Sequence, residues 1–160
     1  MHTRNDPLPP IPSGGLEKTA VPPTPPIKAN APVSARIIQN ISLTPSHKED
    51  EIRHITIEAG PGGYAYIEGQ AIGIVPPGQK SDGKNQHVRL YSIASPREGE
   101  LGPNTIGICV RRLVFTHKDT GILTKGLCSN YICDLKAGDE VRISGPSGKR
   151  FALPKDHNTN

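Results

Sequence analysis

The sequence predicts an antiparallel all-β barrel or sandwich, and three observations lead to this fold class. Six short runs alternate between apolar and polar residues and are rich in β-branched side chains. Clusters of Gly, Pro, Asn and Asp separate these runs, which is typical of turns between strands. No long helical pattern lies between the runs, so the sequence does not indicate parallel strands joined by helices.

The predicted strands follow one another after the first 32 residues. They are expected at residues 35–43, 52–58, 70–75, 88–94, 105–114 and 140–144. One short helix is predicted over residues 130–135, where Ser129 can cap the first turn and Gly138 follows the last. Ile132 and Leu135 are expected on the buried side of this helix.

The front of the chain has a different composition. Nine of the 17 prolines fall within residues 7–32, where there is no apolar periodicity. Residues 1–32 are therefore predicted to be a disordered Pro-rich linker or tail, because such sequence buries too little apolar surface to offset the entropy of ordering it. Residues 33–160 hold every aromatic residue of the chain and are long enough for one barrel domain.

Charge and aromatic content exclude several functional classes. The formal net charge of +4 suits an anionic ligand or an acidic protein partner, but no basic run is dense enough to favour nucleic acid. Aromatic residues make up only 4% of the chain, which argues against a base-stacking surface. The longest apolar runs are too short to span a bilayer, so no integral membrane segment is expected.

Cysteine and histidine usage indicates neither a disulfide framework nor a metal site. Cys109, Cys128 and Cys133 are an odd number and lack the spacing of a zinc site, so free thiols in a reducing compartment are expected. The N-terminus lacks the apolar core of a secretory signal, and the predicted location is the cytoplasm, with a peripheral position at a photosynthetic membrane as the alternative. The spacing does not favour a nucleophilic Ser–His–Asp or Cys–His arrangement, and it does not exclude one.

The first candidate motif lies on the predicted strand at residues 88–94. Side chains alternate along a strand, so Arg89 and Tyr91 share one face and place a cation beside a flat ring. A cofactor that carries both phosphate and a heterocycle needs that pair. The alternative is an ordinary half-exposed strand with a surface arginine and a packed tyrosine.

Two further segments favour an anionic ligand. Residues 126–130 open the predicted helix with small side chains, and helix N-termini bind anions, although Ser129 could be a simple helix cap. Along the strand at residues 105–114, Cys109 and Arg111 face one way while Val110 and Arg112 face the other. Arg111 could be a second cation for a diphosphate, or could protect an exposed strand edge.

Taken in order, four segments resemble the FAD-binding domain of plant-type ferredoxin–NADP reductases. These segments are residues 66–76, 89–95, 109–114 and 126–135. The resemblance implies a six-stranded Greek-key barrel that binds FAD non-covalently. It implies that Arg89 binds the diphosphate and that Leu90 belongs to the same cofactor site. Tyr91 would stack on the isoalloxazine ring and Ser92 would bond near flavin N5, which makes these two the catalytic residues.

The same resemblance assigns the remaining cofactor residues. The helix start would bring backbone groups of Leu127, Cys128 and Ser129 to the phosphates or the flavin. The adenosine side would be lined by Cys109, Val110 and Arg111, with Phe115 at a position where the family often has tyrosine.

The family also has a second domain that binds NADP, and none of its motifs occur in this sequence. The chain is therefore expected to be a fragment of an FAD-dependent ferredoxin–NADP(+) oxidoreductase, with NADP(H) and an acidic ferredoxin or flavodoxin as partners of the full-length protein. Two alternatives stay open. One is the reductase component of a benzoyl-CoA oxygenase, and the other is a non-catalytic flavin- or nucleotide-binding module.

Overall fold

Eight strands and one helix make up the structure, a computed structural model that describes residues 25–45, 51–78, 83 and 87–148. In chain order they are β1 (Val33–Ser42), β2 (Ile52–Ala59), β3 (Ala71–Val75), β4 (Arg89–Ser92), β5 (Thr105–Arg111), β6 (Val114–Thr116), β7 (Leu123–Lys125), α1 (Leu127–Asp134) and β8 (Glu140–Ser147). The predicted all-β class with one short helix is confirmed.

Six of the strands form one antiparallel sheet in the order β4-β3-β8-β1-β2-β5. The last strand, β8, lies between β3 and β1, which is a Greek-key arrangement. The two outer strands approach each other just after β4, where Ile93 forms a bridge with Ile108. There the amide of Ala94 donates to the carbonyl of Gly107 over 2.8 Å, so the sheet curls into a barrel.

The barrel interior is filled mainly by isoleucine and valine. Alternation along β2 and β5 points Ile55, Ile57, Ile106 and Ile108 inward, and each is fully buried. Burying such a side chain contributes roughly 1.5–3 kcal/mol, so this aliphatic layer is the main stabilising feature.

The predicted fifth strand is wrong at its C-terminal end. It stops at Arg111, and Val114–Thr116 pairs with Leu123–Lys125 as a separate hairpin that the sequence did not reveal. The backbone of Leu113 explains the break, because its amide donates to Ser129 Oγ over 3.1 Å and its carbonyl accepts from the amide of Gly126 over 2.8 Å. The start of α1 thus takes the backbone groups that a longer β5 would have paired.

The helix also begins earlier than predicted. Its N-cap is Gly126 without a side-chain cap, and Ser129 lies within the first turn, so the expected Ser129 cap is wrong. Ser129 Oγ is engaged with Leu113 instead. Ile132 is fully buried as predicted, and Leu135 is half-buried against the core.

The ordered chain extends in front of β1. Ile27 and Gly145 exchange backbone hydrogen bonds of 2.7 and 2.8 Å, so ordered structure includes part of the segment predicted as linker. The prediction of disorder for residues 1–24 lies outside the described residues, as does the end of the predicted domain from residue 149. In the part of the chain that is described, no helix has both the length and the apolarity needed to cross a bilayer.

Candidate functional site

A cavity of about 340 Å³ lies where β4, the end of β5 and the start of α1 come together. Its lining comes from stretches that are far apart in the sequence: Pro76, His87, Arg89, Tyr91, Arg111, Leu113, Gly126, Leu127, Cys128 and Ser129. Six of these residues were singled out from the sequence as cofactor-binding. The barrel therefore brings the three predicted motifs to one place.

Arg89 and Tyr91 are positioned by the pairing of β4 with β3. Arg89 lies opposite Ile74 and Tyr91 opposite Ile72, so both project on the same side of the strand, as alternation predicts. The Arg89 side chain is exposed, and its Nη1 donates to the carbonyl of Val88 over 3.3 Å. No carboxylate of the described residues pairs with it, so the guanidinium keeps donors for an anion.

The Tyr91 ring is half-buried and packs against the hydrophobic core. Burial raises the pKa of its hydroxyl, and the neighbouring Cys128 side chain adds to the rise. Burial likewise raises the pKa of the Cys128 thiol. Both groups are therefore neutral at pH 7, and together they form an uncharged wall beside Arg89.

The start of α1 forms another side of the cavity. The first amide groups of a helix lack partners within the helix, and here the N-cap residue is Gly126 and offers no side chain in their place. No acidic residue lies in the first turn, so the positive end of the helix dipole is not neutralised locally. These open amides suit an anionic group next to Leu127, Cys128 and Ser129.

Arg111 adds a second cation at the same cavity. It is the last residue of β5 and is exposed, as is Cys109, whereas Ile108 and Val110 lie in the core. The predicted division of this strand into two faces is confirmed. Arg112 faces away and is used structurally, with its Nε 2.5 Å from Glu51 Oε2 and its Nη1 2.8 Å from Asp134 Oδ1.

Five predicted site residues lie outside the lining of this cavity. Leu90 and Ser92 alternate with Tyr91 and project to the other side of β4, where both are exposed. Val110 is only 1% exposed, so a ligand could reach its backbone alone. Cys109 is exposed on β5, and Phe115 is exposed on the β6–β7 hairpin. Their cofactor roles stay predictions.

Four further residues line the cavity that were not among the predicted site residues. Pro76 directly follows β3 and His87 lies shortly before β4, and neither was among the predicted site residues. Leu113 and Gly126 join the cavity because their backbones are hydrogen-bonded to each other. Pro76, Leu113 and Gly126 belong to segments that carry the family resemblance, whereas His87 had no signal in the sequence.

A larger depression of about 640 Å³ lies around the start of β1, the end of β2 and the start of β8. Its charged lining is mixed, with Arg36 beside the carboxylates of Glu58 and Glu140. Ser34 donates a hydrogen bond to Glu140 there. Because the charges are of both signs and no helix begins at this depression, the smaller cavity is the better candidate for an anionic cofactor.

Comparison with known proteins gives a consistent result. No protein-family model matches the chain. The chain is 38% identical over 134 residues to a ferredoxin–NADP reductase of Synechocystis sp., covering 83% of this chain and 32% of that protein. It is 44% identical over 132 residues to the chloroplastic leaf isozyme 1 of ferredoxin–NADP reductase from Arabidopsis thaliana, covering 82% and 36%.

Solved structures agree with the sequence comparison. A ferredoxin–NADP+ reductase from Plasmodium falciparum superposes with a TM-score of 0.63 at 26% identity, covering 81% of this chain and 44% of that one. The same enzyme with 2′P-AMP gives a TM-score of 0.62 at 25% identity. The predicted resemblance is thus confirmed in sequence and in fold. The chain spans about a third of the length of the curated relatives described above.

Proposed function

We propose that this chain, which is similar in sequence and fold to the ferredoxin–NADP reductases, is the part of such an enzyme that holds FAD. The whole protein would transfer electrons between NADPH and ferredoxin. One observation carries the proposal: Arg89, Arg111 and the uncapped start of α1 converge beside Tyr91 on one cavity. Two cations, open amides and a flat ring are the groups that a diphosphate joined to an aromatic ring requires.

The size of the cavity fits part of the cofactor. Ligand sites are typically about 300–1,000 Å³, and this cavity of about 340 Å³ is at the lower end of that range. It suits the diphosphate or the flavin ring, with the adenosine part of FAD along the exposed side of β5 and the hairpin. Cys109, Val110, Arg111 and Phe115 would serve that side, as the resemblance implies.

The other residues would bind and orient the flavin end. Arg89 would donate to the diphosphate, and the amides at Leu127, Cys128 and Ser129 would complete the anion site. The ring of Tyr91 would hold the isoalloxazine plane. Because their side chains lie on the other side of β4, Leu90 and Ser92 would reach the cofactor through their backbone groups, with Ser92 near flavin N5. FAD, when bound, supplies hydride and single-electron transfer, and the protein positions it.

The partners belong to the same proposal. The relatives are named for ferredoxin and NADP, and one solved neighbour is described with 2′P-AMP, a fragment of NADP chemistry. The net charge of +4 supports docking of an acidic ferredoxin or flavodoxin. Three free cysteines support a reducing compartment such as the cytoplasm. Peripheral contact with a photosynthetic membrane is the alternative location.

Titration of the full chain with FAD tests the cofactor site. Flavin fluorescence should be quenched on binding, and the Arg89→Ala and Tyr91→Ala double variant should weaken binding at least tenfold, because a charge-assisted hydrogen bond alone is worth about 1.5–3 kcal/mol. Arg36→Ala, at an exposed arginine of the other depression, is the matched control and should bind like the parent chain. The proposal would be refuted if FAD fluorescence is not quenched by the parent chain, or if the double variant binds FAD as tightly as the parent chain.

A further inference from the structure

A cysteine, a histidine and a glutamate lie in line on the outer face of β2 and β5. Cys109 on β5 is the direct cross-strand partner of His54 on β2. Cys109 Sγ is 3.6 Å from His54 Nδ1, and His54 Nε2 is 2.6 Å from Glu100 Oε1. The three residues come from two strands and the loop before β5, so only the folded barrel brings them together.

Hydrogen-bond chemistry determines the direction of this chain of contacts. An ionised carboxylate can only accept, so the proton of a neutral His54 ring lies on Nε2 and is donated to Glu100. The lone pair of Nδ1 is then directed towards the thiol of Cys109. A histidine held in this way by a carboxylate is the arrangement by which proteins remove a proton from a nucleophile.

Glu100 is itself held in position from two sides. Its Oε2 accepts from the hydroxyl of Thr56, a fully buried residue, over 2.8 Å. Its backbone amide donates to Thr105 Oγ1 over 3.0 Å. Gly107 leaves the space that the carboxylate occupies, because a Cβ at Gly107 would lie 2.6 Å from Glu100 Oε2. The carboxylate is therefore placed by the sheet and not by a mobile surface contact.

Cys109 differs from the other two cysteines in access and surroundings. Cys109 is exposed, whereas Cys128 and Cys133 are buried. Burial raises the pKa of both buried thiols, that of Cys133 to about 11, so they stay protonated and inert at pH 7. Of the three free thiols, Cys109 alone has both access to solvent and a neighbouring base, His54.

We propose that Cys109, His54 and Glu100 form a reactive-thiol site that undergoes exchange with low-molecular-weight disulfides. The thiol proton passes to His54 Nδ1, and the resulting imidazolium is stabilised by Glu100. The Cys109 sulfur attacks one sulfur of the disulfide, whose S–S bond breaks as the new S–S bond forms. Cys109 is oxidised, one half of the disulfide leaves as a thiolate, and that thiolate takes the proton back. The exchange itself needs no flavin, but the proposed function places the adenosine part of FAD along this side of β5, so the exchange is tested on the chain without FAD.

Site-resolved thiol exchange tests the proposal in the full chain without added FAD. The protein is incubated at pH 7 with glutathione disulfide, and the mixed disulfide at each cysteine is quantified by peptide mass spectrometry. Cys109 should react first, and His54→Asn should slow its reaction about tenfold, because an unassisted cysteine is only a few per cent thiolate at this pH. Glu100→Gln keeps a hydrogen-bond acceptor but loses the charge, and should slow Cys109 by a smaller factor.

Two controls make the result specific. His117→Asn changes a histidine of the β6–β7 hairpin connection and should leave the rate at Cys109 unchanged. Far-ultraviolet circular dichroism shows whether each variant keeps the parent sheet, and Glu100→Gln carries the test where His54→Asn does not fold. The proposal is overturned if the folded variants react at Cys109 as fast as the parent, or if Cys128 or Cys133 reacts first.

Discussion

Replacing Arg112 by methionine tests how α1 is tied to the barrel. The methionine keeps most of the aliphatic stem but removes the guanidinium that joins Glu51, at 2.5 Å, to Asp134, at 2.8 Å. The same guanidinium reaches the side-chain oxygen of Asn130 over 3.2 Å. Arg112→Met therefore removes the ionic link between Glu51, which directly precedes β2, and α1.

The expected loss follows from the burial of the pair. The side chains of Arg112 and Glu51 are 20% and 24% exposed, so solvent screens them only in part. A hydrogen bond between charged groups contributes about 1.5–3 kcal/mol, and partial exposure places this one near the lower limit. Asp134 is 70% exposed and loses its partner at little cost. For a domain of this size, about 1.5 kcal/mol lowers Tm by roughly 5 °C.

The pH dependence supplies a second, sharper readout. Hydrogen bonds from Arg112 and then Arg53 hold the pKa of Glu51 below its ordinary value of 4.5. A lowered pKa contributes stability that is present above that value and is lost as the pH falls. The difference in Tm between the parent chain and Arg112→Met should therefore be largest at pH 7 and should become smaller below about pH 4.5.

Thermal unfolding followed by circular dichroism measures both quantities. Arg36→Met, at an exposed arginine of β1, should change Tm by no more than 1–2 °C, because exposed substitutions away from special contacts are worth about 0.5 kcal/mol or less. The reasoning is refuted if Arg112→Met unfolds within that same margin at pH 7, or if its deficit is as large at pH 3 as at pH 7.

Two further predictions concern single hydrogen bonds. Tyr64→Phe removes a buried hydroxyl that donates to the carbonyl of Ser144 over 2.9 Å, and it should lower the free energy of unfolding in urea by about 1–3 kcal/mol. Tyr131→Phe is the control, because the Tyr131 hydroxyl makes only a 3.5 Å contact with the carbonyl of Glu140. Equal losses in the two variants would contradict the prediction. Ser129→Ala removes the acceptor of the Leu113 amide, at 3.1 Å, and should speed hydrogen exchange at Leu113 several-fold while costing about 0.5–1.5 kcal/mol. Unchanged exchange at Leu113 would show that Ser129 does not hold the rim of the cavity.

Strand patterning was the part of this fold that the sequence predicted well. The runs in β2 and β5 alternate because one face meets the core and the other meets solvent, and that constraint is local. The same alternation correctly placed Arg89 with Tyr91 and Cys109 with Arg111. The order of the motifs along the chain also carried the resemblance to ferredoxin–NADP reductases that the sequence and structure comparisons confirm.

Local patterning failed where a distant segment competes for the backbone. Residues 112–116 continue the β-branched pattern of β5, yet the hydrogen bonds of Leu113 go to the start of α1. The same competition moved Ser129 from the cap position into the helix, where its hydroxyl serves Leu113. The propensity of a segment for a strand or a helix cap reflects its local preference alone. It does not include hydrogen bonds to a distant segment, which can be more favourable.

The sequence by itself determined the all-β class, the two faces of each strand and the kinds of residue available for chemistry. Tertiary structure alone decided which of them meet. The register of β2 against β5 sets His54 beside Cys109 across 55 positions of the chain, and the curl of the sheet brings Arg89, Arg111 and α1 to one cavity. Both depend on strand pairing between distant segments, for which hydrophobic periodicity specifies the face but not the neighbour.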